Sequence, residues 1–183
     1  QTFANKAGNL LDIGVGSGAI VVTLAQKLDR FKCYGLDISK EALGVAMRNA
    51  VHHQVDERIT FLHSNLFEAL SGDAFGDFFD VIVSNPPYIP LEDQKGLEPE
   101  VVCHEPALAL FGGVDGLDFY RTIIPEARNY LKEHGLLVFE AGHDQCEAIE
   151  TLFRRHGYKD VGHFTDYHGI PRFIYGKKAP IGG

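Results

Sequence analysis

The sequence predicts an α/β fold: a mostly parallel sheet with helices on both faces and a ligand crevice at the C-terminal ends of the strands. Three observations carry this. Short apolar runs alternate with amphipathic stretches, a glycine-rich turn follows the first run, and the run Val81-Ile82-Val83-Ser84 leads straight into Asn85-Pro86-Pro87-Tyr88. Strand-helix-strand alternation takes right-handed crossovers, which set successive strands parallel and open the crevice where the chain leaves them.

Asn9 to Ile13 reads as a buried strand, and Gly14-Val15-Gly16-Ser17-Gly18-Ala19 as a turn into a helix lasting to about Asp29. The next strand, Lys32 to Asp37, ends in an acid. Ser39 has the chemistry of an N-cap for a helix through His53, with Ala42, Val45, Ala46, Asn49 and Ala50 expected on one side. Ile59 to His63 is a third strand, followed by the turn Ser64-Asn65-Leu66-Phe67 and then the strand that ends in Asn85. No period stands out between Ile89 and Leu110, where Pro90, Pro99 and Pro106 punctuate a long connection. Connections of that length inside a domain are functional or disordered. Glu92, Asp93, Glu98 and Glu100 suit a substrate-facing lid that meets a basic protein, and a solvated insertion fits each residue equally well. Leu117, Tyr120, Ile124, Ala127 and Leu131 have helical spacing, with Pro125 expected to kink that helix near Arg121. Leu136 to Glu140 reads as the fifth strand, and Gln145 to His156 as a further helix; Glu140, at a strand's C-terminal end, could line the crevice, and its plainer reading is a buried structural acid. Lys159 to Thr165 and Pro171 to Tyr175 form a terminal antiparallel pair, and residues 179–183 a flexible tail.

With 183 residues, 45% hydrophobic and 23% charged, the chain is long enough for one domain with a sizeable core. No apolar run approaches membrane-spanning length and no signal peptide opens the sequence, so a soluble protein without a membrane partner is expected. Cys33, Cys103 and Cys146 are odd in number and far apart, which fits reduced thiols in a cytoplasm. The histidines show no ligand spacing, so no metal is expected. A net charge of −8 disfavours a nucleic-acid footprint and favours a basic partner.

Asn85-Pro86-Pro87-Tyr88 is the chemically loaded stretch. Each proline fixes its own φ and pushes the preceding residue out of the α region, so the backbone is rigid before any ligand arrives. Asn85 offers a side-chain carbonyl, and the prolines offer backbone carbonyls without N–H groups, beside the face of Tyr88. A planar group carrying an NH2 can give its protons to Asn85 and the Pro86 carbonyl while lying on the ring. Such a nitrogen is a poor nucleophile because its lone pair is delocalised; acceptors that hold its protons position it for attack and stabilise the charge that develops. The plainer reading is that Asn-Pro-Pro only ends a strand, and the stretch by itself leaves the two equal.

The glycine turn is ambiguous in the same way. Gly14, Gly16 and Ala19 satisfy a dinucleotide fingerprint, with Asp37 about 20 residues on for a ribose. Gly14, Gly16 and Gly18 equally suit S-adenosylmethionine, whose ribose also wants a carboxylate. Asn85 separates the two, since a nicotinamide enzyme has no use for an NH2-gripping tetrad after its fourth strand.

Together, Leu10 to Ile20, Gly35 to Ser39 and Asn85 to Pro90 resemble the class I S-adenosylmethionine-dependent methyltransferases. With Glu105 to Arg121 and Asp166 to Arg172 added, nearly the whole chain resembles the HemK-type glutamine methyltransferases of peptide chain release factors. The resemblance implies a Rossmann-like, mostly parallel seven-stranded sheet with a C-terminal antiparallel hairpin, over a catalytic domain of residues 1–178. It implies S-adenosylmethionine as cofactor and S-adenosylhomocysteine as product. Gly14, Val15, Gly16, Ser17 and Gly18 would line the methionine and ribose, Asp37 the ribose hydroxyls, and Asn65 and Leu66 the adenine. Asn85 would touch both cofactor and substrate, with Pro86, Pro87 and Tyr88 completing the glutamine pocket. Catalysis would rest on Asn85, Pro86 and Tyr88. Two departures stand out: Asn65 occupies a position where the family usually has Asp, and the family's N-terminal helical domain is absent from this chain. The other readings are a methyltransferase of ribosomal-protein glutamine or of a nucleic-acid amino group, and a cofactor-binding domain that is catalytically incomplete.

Overall fold

The computed structural model describes residues 6–70, 72–90, 112–142 and 144–180. Among them lie strands β1 (Gly8–Ile13), β2 (Phe31–Asp37), β3 (Ile59–His63), β4 (Phe79–Ser84), β5 (Leu131–Glu140), β6 (Tyr158–Thr165) and β7 (Pro171–Lys178). The helices are α1 (Ala19–Lys27), α2 (Lys40–His52), α3 (Asp118–Ala127) and α4 (Cys146–Arg155), joined by short 3-10 turns. The strands form one sheet in the order β3-β2-β1-β4-β5-β7-β6. The first five are parallel, and β7 lies antiparallel between β5 and β6.

Alternation along the strands divides the core between the two faces of the sheet. Leu10, Val81 and Val83 join Val21, Val22 and Ala25 of α1 and Leu43, Ala46 and Ala50 of α2 on one face. On the other, Leu11, Ile13, Ile82, Leu137 and Phe139 join Tyr120, Ile123, Ile124 and Ala127 of α3 and Ile149 and Phe153 of α4. This is the two-sided covering that the strand-helix alternation predicts. Phe139 is fully buried at the centre of the second cluster, 5.1 Å from the Tyr120 ring and 5.8 Å from the Phe153 ring.

Two local expectations are corrected. The buried positions of α2 are Leu43, Ala46 and Ala50, whereas Val45 is 36% exposed. This helix carries apolar residues on more than one stripe, and the one that fits the sheet is set by packing. Asn49 lies off that stripe, and its amide donates to the Ser17 carbonyl (2.9 Å), tying α2 to the glycine turn. Leu131 opens β5 and does not extend α3, which runs through Pro125 and stops at Ala127. It pairs with Phe79, and a register shift then brings Leu136 opposite Val81. Leu131 is fully buried, as a core-facing helical residue would also be, so helical spacing and strand membership looked alike. The proposed lid with Glu92, Asp93, Glu98 and Glu100, the stretch Glu105 to Phe111, and Cys103 lie outside the described residues. Cys33 and Cys146 are buried free thiols, and no helix among the described residues is long and apolar enough to cross a membrane.

Truncating Phe139 to alanine removes the ring that two others pack against and leaves a cavity. Phe139→Ala should cost about 3–5 kcal/mol of unfolding free energy in urea titrations. A cost under about 1 kcal/mol would mean that the core there closes over the void.

Candidate active site

The site is built where the winding of the sheet reverses. The chain runs outward through β1, β2 and β3, then returns to the other side of β1 to lay down β4 and β5. At such a switch point the connections leave in opposite directions and open a crevice at the strand ends. Ile13 stands opposite Leu36 on one side and Ser84 on the other. The buried Ser84 hydroxyl donates to the Ile13 carbonyl (2.7 Å), locking β4 to β1 at their C-terminal ends. Gly14 and Asn85 are the next residues of those two strands, so they leave the sheet side by side.

The three glycines of the turn have different jobs. All have positive φ, 73°, 53° and 83° for Gly14, Gly16 and Gly18. A Cβ built on Gly14 or Gly16 would meet nothing within 4 Å, whereas one on Gly18 would lie 2.9 Å from the Ala46 Cβ. Gly18 thus lets α1 and α2 pack closely, while Gly14 and Gly16 leave open space over the backbone. Val15 is buried and Ser17 exposed. The turn is pinned from below by the Gly14 and Val15 N–H groups, which donate to the Leu36 carbonyl at 2.8 and 3.0 Å.

Asp37 ends β2 beside this turn. Its Oδ2 accepts the Gly16 N–H (2.9 Å) and its Oδ1 the Ser39 N–H (2.8 Å). Each oxygen keeps acceptor capacity, and the half-buried carboxylate faces the crevice edge with its orientation fixed. Ile38, next in sequence, is 57% exposed and adds an apolar surface there. One strand further out, the Ser64 N–H donates to the Asp37 carbonyl (2.9 Å), drawing the turn after β3 toward the same edge. The Ser64 hydroxyl holds that turn by donating to the Leu66 carbonyl and accepting from the Ala69 N–H. Leu66 has φ 47°. The NH2 of the exposed Asn65 donates to Glu68 Oε1 (3.0 Å), a bond that leaves its side-chain carbonyl as an acceptor.

On the fourth strand end, Asn85 is exposed, Pro86 buried, and Pro87 and Tyr88 half-buried. The Tyr88 carbonyl accepts from the Gln145 amide (2.8 Å) and its ring packs against the large core cluster. The structure therefore brings the sequence-predicted residues into one row. Asn65 and Leu66, Asp37, Gly14 to Gly18, and Asn85 to Tyr88 follow the strand order β3-β2-β1-β4 along a single edge.

Sequence reasoning missed Asp12. It is the one acid in the otherwise apolar run Leu10 to Ile13, a signal that was visible. It lies beneath the glycine turn, 1% exposed, and its Oδ2 accepts the Val21 N–H (3.1 Å) in the first turn of α1, a cap supplied from the strand. Its Oδ1 is buried without a hydrogen-bond partner among the described residues. Burial pushes the carboxyl up to about 7; the Val21 hydrogen bond opposes this and the nearby Asp37 adds to it.

Comparison with known proteins gives the family and the fold. Residues 1–105 match the family described as methyltransferase small domain, and the chain belongs to that family. It is 43% identical over 177 residues to a release factor glutamine methyltransferase of Caulobacter vibrioides, covering 97% of this chain and 60% of that protein. It is 45% identical over 174 residues to the protein of that description in Geobacter sulfurreducens, covering 95% and 59%. The chain thus spans about three fifths of the length of these relatives. Among solved structures, a methyltransferase from Pyrococcus furiosus superposes with a TM-score of 0.69 at 21% identity, over 98% of this chain and 79% of the other, a likeness of fold.

The state of Asp12 has a consequence for stability. A carboxyl that holds its proton more tightly folded than unfolded contributes stability that is full below the ordinary value of 3.8 and is lost as pH rises through about 7. Relative to Asp12→Asn, the wild-type chain should lose on the order of 2 kcal/mol between about pH 5 and pH 8, read as the difference between urea unfolding curves. A difference that stays flat across that range would mean that the carboxyl titrates as if exposed.

Proposed function

We propose that this chain is the catalytic domain, over residues 1–178, of a protein-glutamine methyltransferase that modifies the Gly-Gly-Gln glutamine of peptide chain release factors. The observation that carries the reading is the adjacency of Asn85 to Gly14 at the switch point. It sets a rigid group of acceptors for an NH2 beside a backbone turn left open by two glycines. The row of residues along the strand ends suits S-adenosylmethionine. Asn65 keeps a side-chain carbonyl for the adenine amine, with Leu66 beside it. Asp37 has fixed acceptors for the ribose hydroxyls, and Gly14, Val15, Gly16, Ser17 and Gly18 allow close approach of the methionine part. Asn85 then lies where cofactor and substrate meet. The relatives' names support the release factor as substrate, and the acidic net charge suits a basic protein surface better than a nucleic acid.

S-adenosylmethionine supplies a methyl group already activated on a sulfonium, so the chain needs no nucleophile of its own. Its residues have to bind and orient. The Asn85 side-chain carbonyl and the Pro86 carbonyl hold the two protons of the glutamine amide, Pro87 and Tyr88 wall the side chain in, and the nitrogen is left in line for attack. As positive charge develops on that nitrogen, the same two acceptors bind its protons more tightly, which is where the transition state gains over the bound ground state. Because both prolines fix the backbone in advance, little reorganisation is required at that moment.

Labelled S-adenosylmethionine with a purified bacterial release factor should give a labelled factor, and the same factor with its Gly-Gly-Gln glutamine changed to alanine should stay unlabelled. Asn85→Ala should lower kcat roughly 100-fold while S-adenosylhomocysteine still raises Tm as it does for wild type and NAD does not. Label on the alanine factor, or near-normal turnover by Asn85→Ala, would overturn the assignment.

A further inference from the structure

We propose that Gln145 is a positioning residue for the substrate loop: one buried amide holds the exit of Asn85-Pro86-Pro87-Tyr88 against the end of β5 and the turn before α3. The inference rests on the functional reading above.

Gln145 is 8% exposed and sits at the entrance to α4, yet its side chain makes no bond to cap that helix. It turns away instead. Its Oε1 accepts the Gly142 N–H (3.1 Å), just beyond β5, while its Nε2 donates to the Tyr88 carbonyl (2.8 Å) and, more weakly, to the Gly116 carbonyl (3.4 Å). A backbone N–H can only donate and carbonyls can only accept, so the partners fix which way the amide faces. Two N–H groups and one carbonyl are matched to two acceptors and one donor around a buried amide, where an unmet group would cost most.

The turn it joins is shaped to receive the loop. A Cβ on Gly116 would lie 2.2 Å from the Tyr88 carbonyl oxygen and 2.4 Å from the Gln145 Nε2; one on Gly112 would lie 2.5 Å from the Pro87 carbonyl oxygen. The Gly112 N–H donates to the Ile89 carbonyl (3.0 Å). Three successive loop carbonyls, Pro87, Tyr88 and Ile89, thus lie against Gly112 to Gly116 and Gln145. The turn is itself held, since Asp118 N–H donates to the Gly112 carbonyl (2.9 Å) and Arg121 grips the Asp115 carboxylate through both terminal nitrogens.

The prolines stiffen the loop internally but do not fix it in space. Ser84 anchors its entrance through Ile13, and Gln145 anchors its exit at Tyr88. Methyl transfer demands that the acceptors at Asn85 and Pro86 hold the nitrogen in line, and displacement by an ångström costs about 100-fold in rate. The residues proposed for the cofactor, Gly14 to Gly18 and Asp37, make none of the Gln145 contacts.

The test compares Gln145→Met, which keeps the volume and loses the donors, with Gln145→Glu, which keeps an acceptor for Gly142 and can donate only when protonated. Gln145→Met should lower kcat on the release factor roughly 10- to 100-fold with S-adenosylhomocysteine Kd unchanged. Gln145→Glu should regain turnover relative to wild type as the pH is lowered. In both variants the Gly112 amide should exchange its hydrogen faster, with the β4 amides unaffected. Wild-type turnover in Gln145→Met, or a cofactor affinity that falls in step with kcat, would overturn the proposal. If the wild-type chain transfers no methyl group, the functional reading fails instead. Exchange at Gly112 then decides the positioning role: faster exchange supports it and unchanged exchange overturns it.

Discussion

The pairing of β1 with β4 is the constraint on which the site depends. Four paired positions, Leu10 to Ile13 against Val81 to Ser84, bring together segments some 70 residues apart. The Ser84 hydroxyl closes the pair with a bond whose sequence separation is 71. A register slip of one residue would turn Val81 and Val83 toward the wrong face and Ile82 away from Leu137 and Phe139. The two-sided core therefore fixes the register, and the register fixes Asn85 beside Gly14. The site's accuracy is inherited from packing that has no chemical role of its own.

Around that pair, backbone groups do most of the shaping. Gly14 and Val15 give their N–H groups to Leu36, Gly16 gives its own to Asp37, and Ser64 reaches the Asp37 carbonyl. Asp37 is thus oriented by the turn it stands beside. Asp12 adds a second acid just below, its charge disfavoured by burial and by Asp37, yet its oxygen completes the first turn of α1. A polar group kept in so apolar a place makes the helix entrance depend on the strand beneath it, so the turn between them cannot drift independently.

Much of this was legible in the sequence because it is local. The strand ends at Ile13, Asp37 and Ser84 are marked by apolar runs that stop at a glycine, an acid and Asn-Pro, and the end at His63 by the turn-forming Ser64 and Asn65. Once the strands are taken as parallel, the residues after them must share an edge. The sequence also named the N-cap Ser39, whose hydroxyl accepts the Ala42 N–H at 3.1 Å. What escaped depends on distant partners. The buried face of α2 is chosen by Gly18 and the sheet, since Ala46 has to meet a residue without a Cβ. Leu131 is a strand residue because Phe79 pairs with it across the chain. Gln145 carries no local mark, because Tyr88 and Gly116 lie 57 and 29 residues away.

The contacts also separate two kinds of rigidity. The turn after β1 is rigid through hydrogen bonds to its immediate neighbours in the sheet, which suits a surface that receives one constant ligand. The loop after β4 is rigid through its prolines within and through the far half of the chain without, by way of Gly112, Gly116 and Gln145. Its position is therefore sensitive to how α3 and α4 seat against β5. Both helices bury their apolar residues in the cluster that contains Phe139, and Tyr120 of α3 also donates its hydroxyl to the Glu140 carbonyl at 2.9 Å. That bond ties α3 to the end of β5, two residues before Gly142 takes up the Gln145 side chain. A disturbance of this core would reach Asn85 and Pro86 before it reached Asp37, so the half of the site proposed for the substrate is the half more exposed to changes in packing.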